Sequence, residues 1–203
     1  GVPGGYKKTW AAYEEARTIS VGDPNFAIGI ETTVSSQNLA EIGPFLKEMT
    51  AGGHALTLTV AHNAYLYTNE GKESVSPLAD PEKLADVLAI VRGSKRAFDP
   101  KGIVERRFLD GIQAFKSNPR RQVVPCAALA SSVSVDAVGD VHPCLMWGER
   151  LGNLRDHGYD LGRILELDAA RSARLQVEAE QCPNCWTPCE AYQSIIGQVL
   201  KPF

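Results

Sequence analysis

Apolar residues recur at helical spacing in three stretches of the first 118 residues, with two short β-rich runs set among them. Residues 6–19 form a weakly periodic first helix. Phe26–Val34 is rich in β-branched residues and reads as a strand, closed by the turn Ser35-Ser36-Gln37-Asn38. Asn38, with Glu41 three residues on, has the form of a capping box. Leu39, Ile42, Phe45, Leu46 and Met49 then keep helical register up to Gly52-Gly53. Ala55–Val60 is a second strand, apolar enough to be buried on both faces. A loop with Gly71 and Pro77 leads to Asp80-Pro81, an N-cap followed by proline at the first helical position. Leu84, Val87, Leu88 and Val91 mark the buried face of that helix, and Val104, Phe108, Leu109, Ile112 and Phe115 that of the next. The order helix–strand–helix–strand–helix–helix implies a parallel sheet with helices against it. Two strands fall short of a complete sheet, so this half reads as the last part of an α/β barrel or open sheet.

The pattern changes after Asn118-Pro119, and a boundary near residue 120 divides the chain into 1–120 and 121–203. Ser131–Asp136 and Asp140–His142 read as two strands joined by a tight turn at Val138-Gly139-Asp140. Gly152-Asn153-Leu154 opens a loop. Leu161–Leu167 and Ala169–Ala179 are short helices, and Glu190–Leu200 a final one.

Composition narrows the function classes. The net charge is −3, and no basic stripe interrupts it. Phosphate-backbone binding is therefore not indicated. No apolar run approaches bilayer length, and no signal-peptide pattern is present. Five cysteines without a secretory signal argue against a disulfide framework and for a reducing, cytoplasmic location. The first residue is Gly, and the chain is read as a piece of a longer protein.

Those cysteines carry the candidate chemistry. None occurs before Cys126; Cys126 and Cys144 flank the predicted hairpin, and Cys182, Cys185 and Cys189 crowd one octapeptide. Thiolates bind soft or borderline metals, and CxxC lets two sulfurs grip one centre without strain. The hairpin brings Cys126 and Cys144 together, and its turn needs the freedom of Gly139. Cys189, at a helix start, would have its thiolate favoured by the helix dipole. Five thiols make one four-sulfur site with one to spare, and their spacing suits zinc and an iron–sulfur centre alike.

Cys126-x12-Gly139-x4-Cys144, followed after a gap by Cys182-x2-Cys185 and Cys189, resembles the cysteine pattern of SPASM/Twitch domains, the C-terminal extensions of many radical SAM enzymes. Leu151-Gly152-Asn153-Leu154 and the helix beginning at Leu161 are similar to segments common in that family, so the resemblance covers residues 124–193. The preceding half is similar to the later units of a radical SAM partial barrel. The fold class this implies is α/β: the C-terminal part of a partial (β/α) barrel, then a small α+β SPASM/Twitch domain with a β-hairpin and a cysteine-bound cluster. Five cysteines suit the shorter Twitch version with a single auxiliary [4Fe-4S] cluster. By that pattern Cys126, Cys144, Cys182 and Cys185 are ligands and Cys189 the spare, although Cys189 as fourth ligand stays open.

The resemblance also implies S-adenosylmethionine and a second [4Fe-4S] cluster in the full-length enzyme. It implies a peptide or small-molecule substrate and an electron donor such as flavodoxin or ferredoxin. The CxxxCxxC motif that holds the SAM-cleaving cluster is absent from these 203 residues, so the chain alone is not expected to cleave SAM. Thr33, Ser35 and Asn38, after the first strand, are the candidate SAM contacts, with Ser35 and Asn38 also readable as turn and cap residues. His62 and Asn63, after the second strand, could face the same cavity, although a hydrogen-bonded strand end is the ordinary role of such a histidine. His142, two residues before Cys144, is readable as a ligand, although a structural role on an exposed hairpin is the ordinary one. Trp186 either shields a cluster or simply packs. Arg106-Arg107 and Arg120-Arg121 read as solvated faces. The competing reading is a non-catalytic zinc module.

Overall fold

A computed structural model describes residues 2–23, 25–62, 76, 80–95 and 99–199; Asn63, Gly71 and Pro77 lie outside the described residues. Two strands, β1 (Ile30–Val34) and β2 (Leu56–Val60), pair in parallel with Ile30 opposite Leu56 and Val34 opposite Val60. A parallel pair needs a crossover, and α2 (Ile42–Ala51) supplies it. Around these lie α1 (Gly5–Gly22), α3 (Pro81–Gly93) and α4 (Pro100–Ser117). The predicted element order therefore holds, with differences in detail. β1 begins at Ile30 rather than Phe26, because β2 offers its first partner there: Ile30 N–H donates to Ala55 O at 2.8 Å.

Nor is Asn38 a helix cap. Its Oδ1 accepts from Ser35 N–H at 2.8 Å and its Nδ2 donates to Thr33 O at 2.9 Å, so the side chain is consumed in locking the turn. The helix waits until Ile42, and Glu41, at its N-cap, makes no side-chain cap bond. Asp80 does cap, accepting from Lys83 N–H at 3.3 Å. Asp99-Pro100 repeats the same device at α4, where Asp99 accepts from Gly102 N–H at 3.0 Å.

β2 is buried on one face, not both. Leu56, Leu58 and Val60 enter the core, while Thr57 and Thr59 are half-buried. The register sets Glu31 beside Thr57 and Thr33 beside Thr59, so the sheet has one apolar face under the helices and one polar face. The core joins that apolar face to Leu46 and Met49 of α2, Leu84, Val87, Leu88 and Val91 of α3, and Phe108, Ile112 and Phe115 of α4. α1 buries no residue; its Trp10 rests on the core edge, and Tyr13 Oη meets His54 Nδ1 at 2.7 Å.

The second half forms an antiparallel sheet of order β3-β4-β5: Ser134–Val135, Asp140–His142 and Gly152–Asn153. Gly139 has φ +88°, as the hairpin turn requires. Asp136 Oδ1 accepts from both Val138 N–H and Asp140 N–H, which explains why the first strand ends there. Gly152-Asn153 is a strand rather than a loop opening. Asn153 Nδ2 donates to Asp140 Oδ1 at 2.7 Å, and a Cβ on Gly152 would press within 3.2 Å of Ile164. A 3₁₀ turn (Leu154–His157), α5 (Leu161–Leu165) and α6 (Asp168–Glu178) close a small core of Leu129, Val141, Leu151, Ile164, Ala170 and Ala173. α7 (Pro188–Val199) starts two residues before Glu190 and returns to the first core, to which Trp186, Ala191 and Ile195 belong. Among the described residues no helix is long and apolar enough to cross a membrane.

Candidate metal centre

Three segments deliver Cys126, Cys144 and the pair Cys182 and Cys185 to the wall of one cavity, whose other lining includes Ala128, Met146, Trp186 and Glu190. Cys126 is placed through its neighbours. Gln122 Oε1 accepts its backbone N–H at 2.9 Å while Gln122 Nε2 donates to Val177 O at 2.6 Å, and Ala127 N–H reaches Ser194 Oγ of α7 at 2.9 Å. Cys144 follows β4 through the fully buried Pro143. His142 beside it is buried rather than exposed, because its Nδ1 meets Glu149 O at 2.9 Å across the loop that returns to β5. Cys182 and Cys185 sit on a loop bent by Glu180 and Asn184, both at positive φ. Asparagine tolerates that region, and Asn184 Nδ2 ties the loop to Arg120 O at 2.8 Å.

Trp186 fixes the far end of this loop. Its indole N–H donates to Phe108 O at 2.7 Å, its ring stacks on Phe108 at 6.0 Å, and it lies directly on Gly111 of α4. His62 holds the same residue from the other side, with Nδ1 toward Val60 O at 2.7 Å and Nε2 accepting Trp186 N–H at 3.2 Å. Those two partners require the neutral ring with its proton on Nδ1. Burial holds the His62 pKa below the ordinary histidine value. Trp186 thus packs in the first core and walls the cavity at once. Arg106, expected on a solvated face, instead donates to Lys95 O through Nε and Nη2.

The sulfurs share one electrostatic setting. Burial pushes the Cys144 thiol up to about 12, with Cys185, Glu190 and Cys126 adding to the rise. Burial likewise pushes Cys185 to about 12, and raises Cys126. Opposing this, a backbone N–H two residues on points at each of these three sulfurs: Ala128 at Cys126, Met146 at Cys144 and Thr187 at Cys185. Such donors favour a thiolate over a thiol. Cys182 Sγ lies 3.4 Å from Asn184 Oδ1. The cavity is small, about 30 Å³. As placed, the sulfurs line it without closing on a point: among the described residues no three His, Cys, Asp or Glu side chains form a metal-binding group. The donor set nevertheless fits a thiophilic centre, with four thiols, apolar walls and amides aimed at sulfur.

Cys189 is elsewhere. It sits exposed on the first turn of α7 and lines a separate cavity of about 480 Å³ with Glu31, Thr33, Thr59, His62 and Thr187. Burial first, then the carboxylates of Glu190 and Glu31, raise its pKa. Of the candidate SAM contacts, Thr33 faces this second cavity, while Ser35 and Asn38 are engaged with each other in the turn. Gln122, Asn184, Thr187 and Glu190 are site residues that sequence reasoning missed. Only Asn184, in a Pro-Asn pair, carried a turn signal. Glu190 is buried, accepts from Ser132 Oγ at 2.7 Å, and has its carboxyl pKa raised by burial.

One family model matches the chain: SPASM, described as an iron–sulfur cluster-binding domain, over residues 126–186. Among curated proteins none matches, and none among solved structures.

Proposed function

We propose that Cys126, Cys144, Cys182 and Cys185 hold a [4Fe-4S] cluster, and that the chain is the C-terminal portion of a radical SAM enzyme in which this cluster is auxiliary. The observation that carries the reading is a coincidence of two boundaries. The matched segment opens at Cys126 and ends one residue past Cys185, and the same four sulfurs, without Cys189, line one cavity. The parallel β1–β2 pair, with helices on its apolar face and Glu31, Thr33, Thr57 and Thr59 on the other, supports a barrel origin for the first half.

When bound, such a centre supplies a site that can accept an electron from a substrate radical or anchor the substrate. The protein's part is ligation and environment. The four thiols release their protons on binding, and the amides of Ala128, Met146 and Thr187 then stabilise three of the sulfurs. Met146 and Trp186 keep water from the centre, and the His62–Trp186 bond fixes the CxxC loop against the strand end. The strand-end cavity, bounded by Cys189 and Thr33, is the substrate side.

A second reading, a structural zinc site, is favoured by one observation. A cavity of about 30 Å³ is nearer the room needed by one ion or one water than by a four-iron cluster. Anaerobic iron, sulfide and zinc analysis of the purified chain and of Cys144→Ala separates the two. About four irons and four sulfides per chain, lost in the variant, are expected. One zinc without sulfide sinks the cluster reading. The radical SAM assignment is tested by reading the gene upstream for a CxxxCxxC motif in frame.

A further inference from the structure

The segment between Cys185 and Cys189 is a partition, with the four-thiol cavity on one side and the strand-end cavity on the other. Thr187 stands in the middle of it, 3 % exposed. Its place is unusual for its residue type. It immediately precedes Pro188, the first residue of α7, and Ala191 N–H donates to its carbonyl at 2.9 Å. That is the N-cap position, where a threonine hydroxyl ordinarily accepts an amide of the first helical turn. Among the described residues no such amide reaches it; Thr187 Oγ1 lies instead 3.9 Å from Cys185 Sγ. The backbone N–H of Thr187 points at the same sulfur. Cys126 and Cys144 each receive a backbone amide from two residues on, but Cys185 alone of the three adds a hydroxyl from the same residue.

In the free thiol either atom of the Cys185–Thr187 contact can donate. A sulfur bound to iron has no proton, so the contact then has one sense, with Thr187 O–H donating to Sγ. A donor at a ligating sulfur stabilises the more negative, reduced state and raises the reduction potential. We propose that Thr187 is a positioning residue that sets the potential of the bound cluster through the Cys185 sulfur, and that its hydroxyl is given up by the helix for that purpose. This rests on the cluster reading above.

The test is an anaerobic redox titration of the reconstituted chain, wild type against Thr187→Val and Thr187→Ser, with iron, sulfide and circular dichroism measured on each. Valine keeps the shape and removes the hydroxyl; serine keeps the hydroxyl. The expected result is equal iron and sulfide in all three, a midpoint potential shifted negative in the valine variant, and the wild-type value in the serine variant. An unchanged potential in Thr187→Val, or an equal shift in Thr187→Ser, overturns the proposal while leaving the cluster reading intact. Should the valine variant fail to take up iron, Thr187→Ala, which also lacks the hydroxyl, is titrated in its place: a potential shifted negative supports the role and the wild-type value refutes it. A wild-type chain with no iron or sulfide overturns the cluster reading, and this inference with it.

Discussion

Trp186 and Gly111 illustrate how much of the centre's architecture rests on single atoms. Gly111 lies inside α4, where glycine costs helix stability relative to alanine, yet any Cβ there would overlap the Trp186 ring. The glycine is the seat for the indole, and the indole holds the CxxC loop. Gly111→Ala is expected to destabilise the fold by about 1–3 kcal/mol through overpacking, read as a lower midpoint in urea together with a changed Trp fluorescence maximum. A variant as stable as wild type would mean that the ring has another seat. The cysteines divide just as sharply. Cys189→Ala is expected to retain the iron content of wild type, because its sulfur lines the other cavity. Loss of iron in that variant, equal to the loss in Cys144→Ala, would overturn the four-and-one division. This division was only half legible in the sequence. Spacing named all five thiols, but Cys185 and Cys189 both flank the same tripeptide, and only the turn of α7 sends one sulfur to each side.

At the scale of elements, the helices were the readable part. Leu84, Val87, Leu88 and Val91 are the buried residues of α3, and Asp80-Pro81 begins it, because a 3.6-residue period and a cap are local properties. Strands were readable only as far as a partner exists: Phe26–Gly29 has strand composition, but β2 offers no residue opposite it, and β5 is two residues that only backbone pairing with β4 makes a strand. His62 joins a strand to a loop 124 residues away, which no pattern announces. Its ring is held neutral, so the unfolded chain takes up the proton first as pH falls below about 6.5. The stability that neutral His62 contributes is complete above that value and is lost progressively toward its depressed folded pKa. Glu190, with a raised carboxyl pKa, works in the opposite sense at acid pH, so the comparison must be made against a variant. Wild type is expected to lose more thermal stability than His62→Gln between pH 7.5 and pH 5.5, values chosen as about one unit either side of the ordinary histidine pKa. Parallel losses in the two proteins would remove His62 as the cause.

The whole molecule is tied together at its C-terminal end. Trp186, Ala191 and Ile195 are core residues of the first half although the chain reaches them last, and α7 also supplies Ser194 to the Cys126 segment and Glu190 to Ser132. The centre therefore lies where the two cores meet, and a ligand that binds only the folded state stabilises both together. With metal free at about 100 times its dissociation constant the linkage gain is about 2.7 kcal/mol, which for a chain of this size raises the thermal midpoint by roughly 5–10 °C. Calorimetry of the loaded protein should show one transition, and removal of the metal by a chelator should lower that transition as a unit. Two separate transitions, of which only one responds to the chelator, would mean that the contacts of α7 with α4 are too weak to couple the halves. In that case the His62–Trp186 bond would not transmit anything between the strand-end cavity and the thiols. A single responsive transition makes the opposite case: the polar sheet face with Glu31 and Thr33, the partition at Thr187 and the four sulfurs belong to one cooperative body, and what binds on one side of that partition is felt on the other.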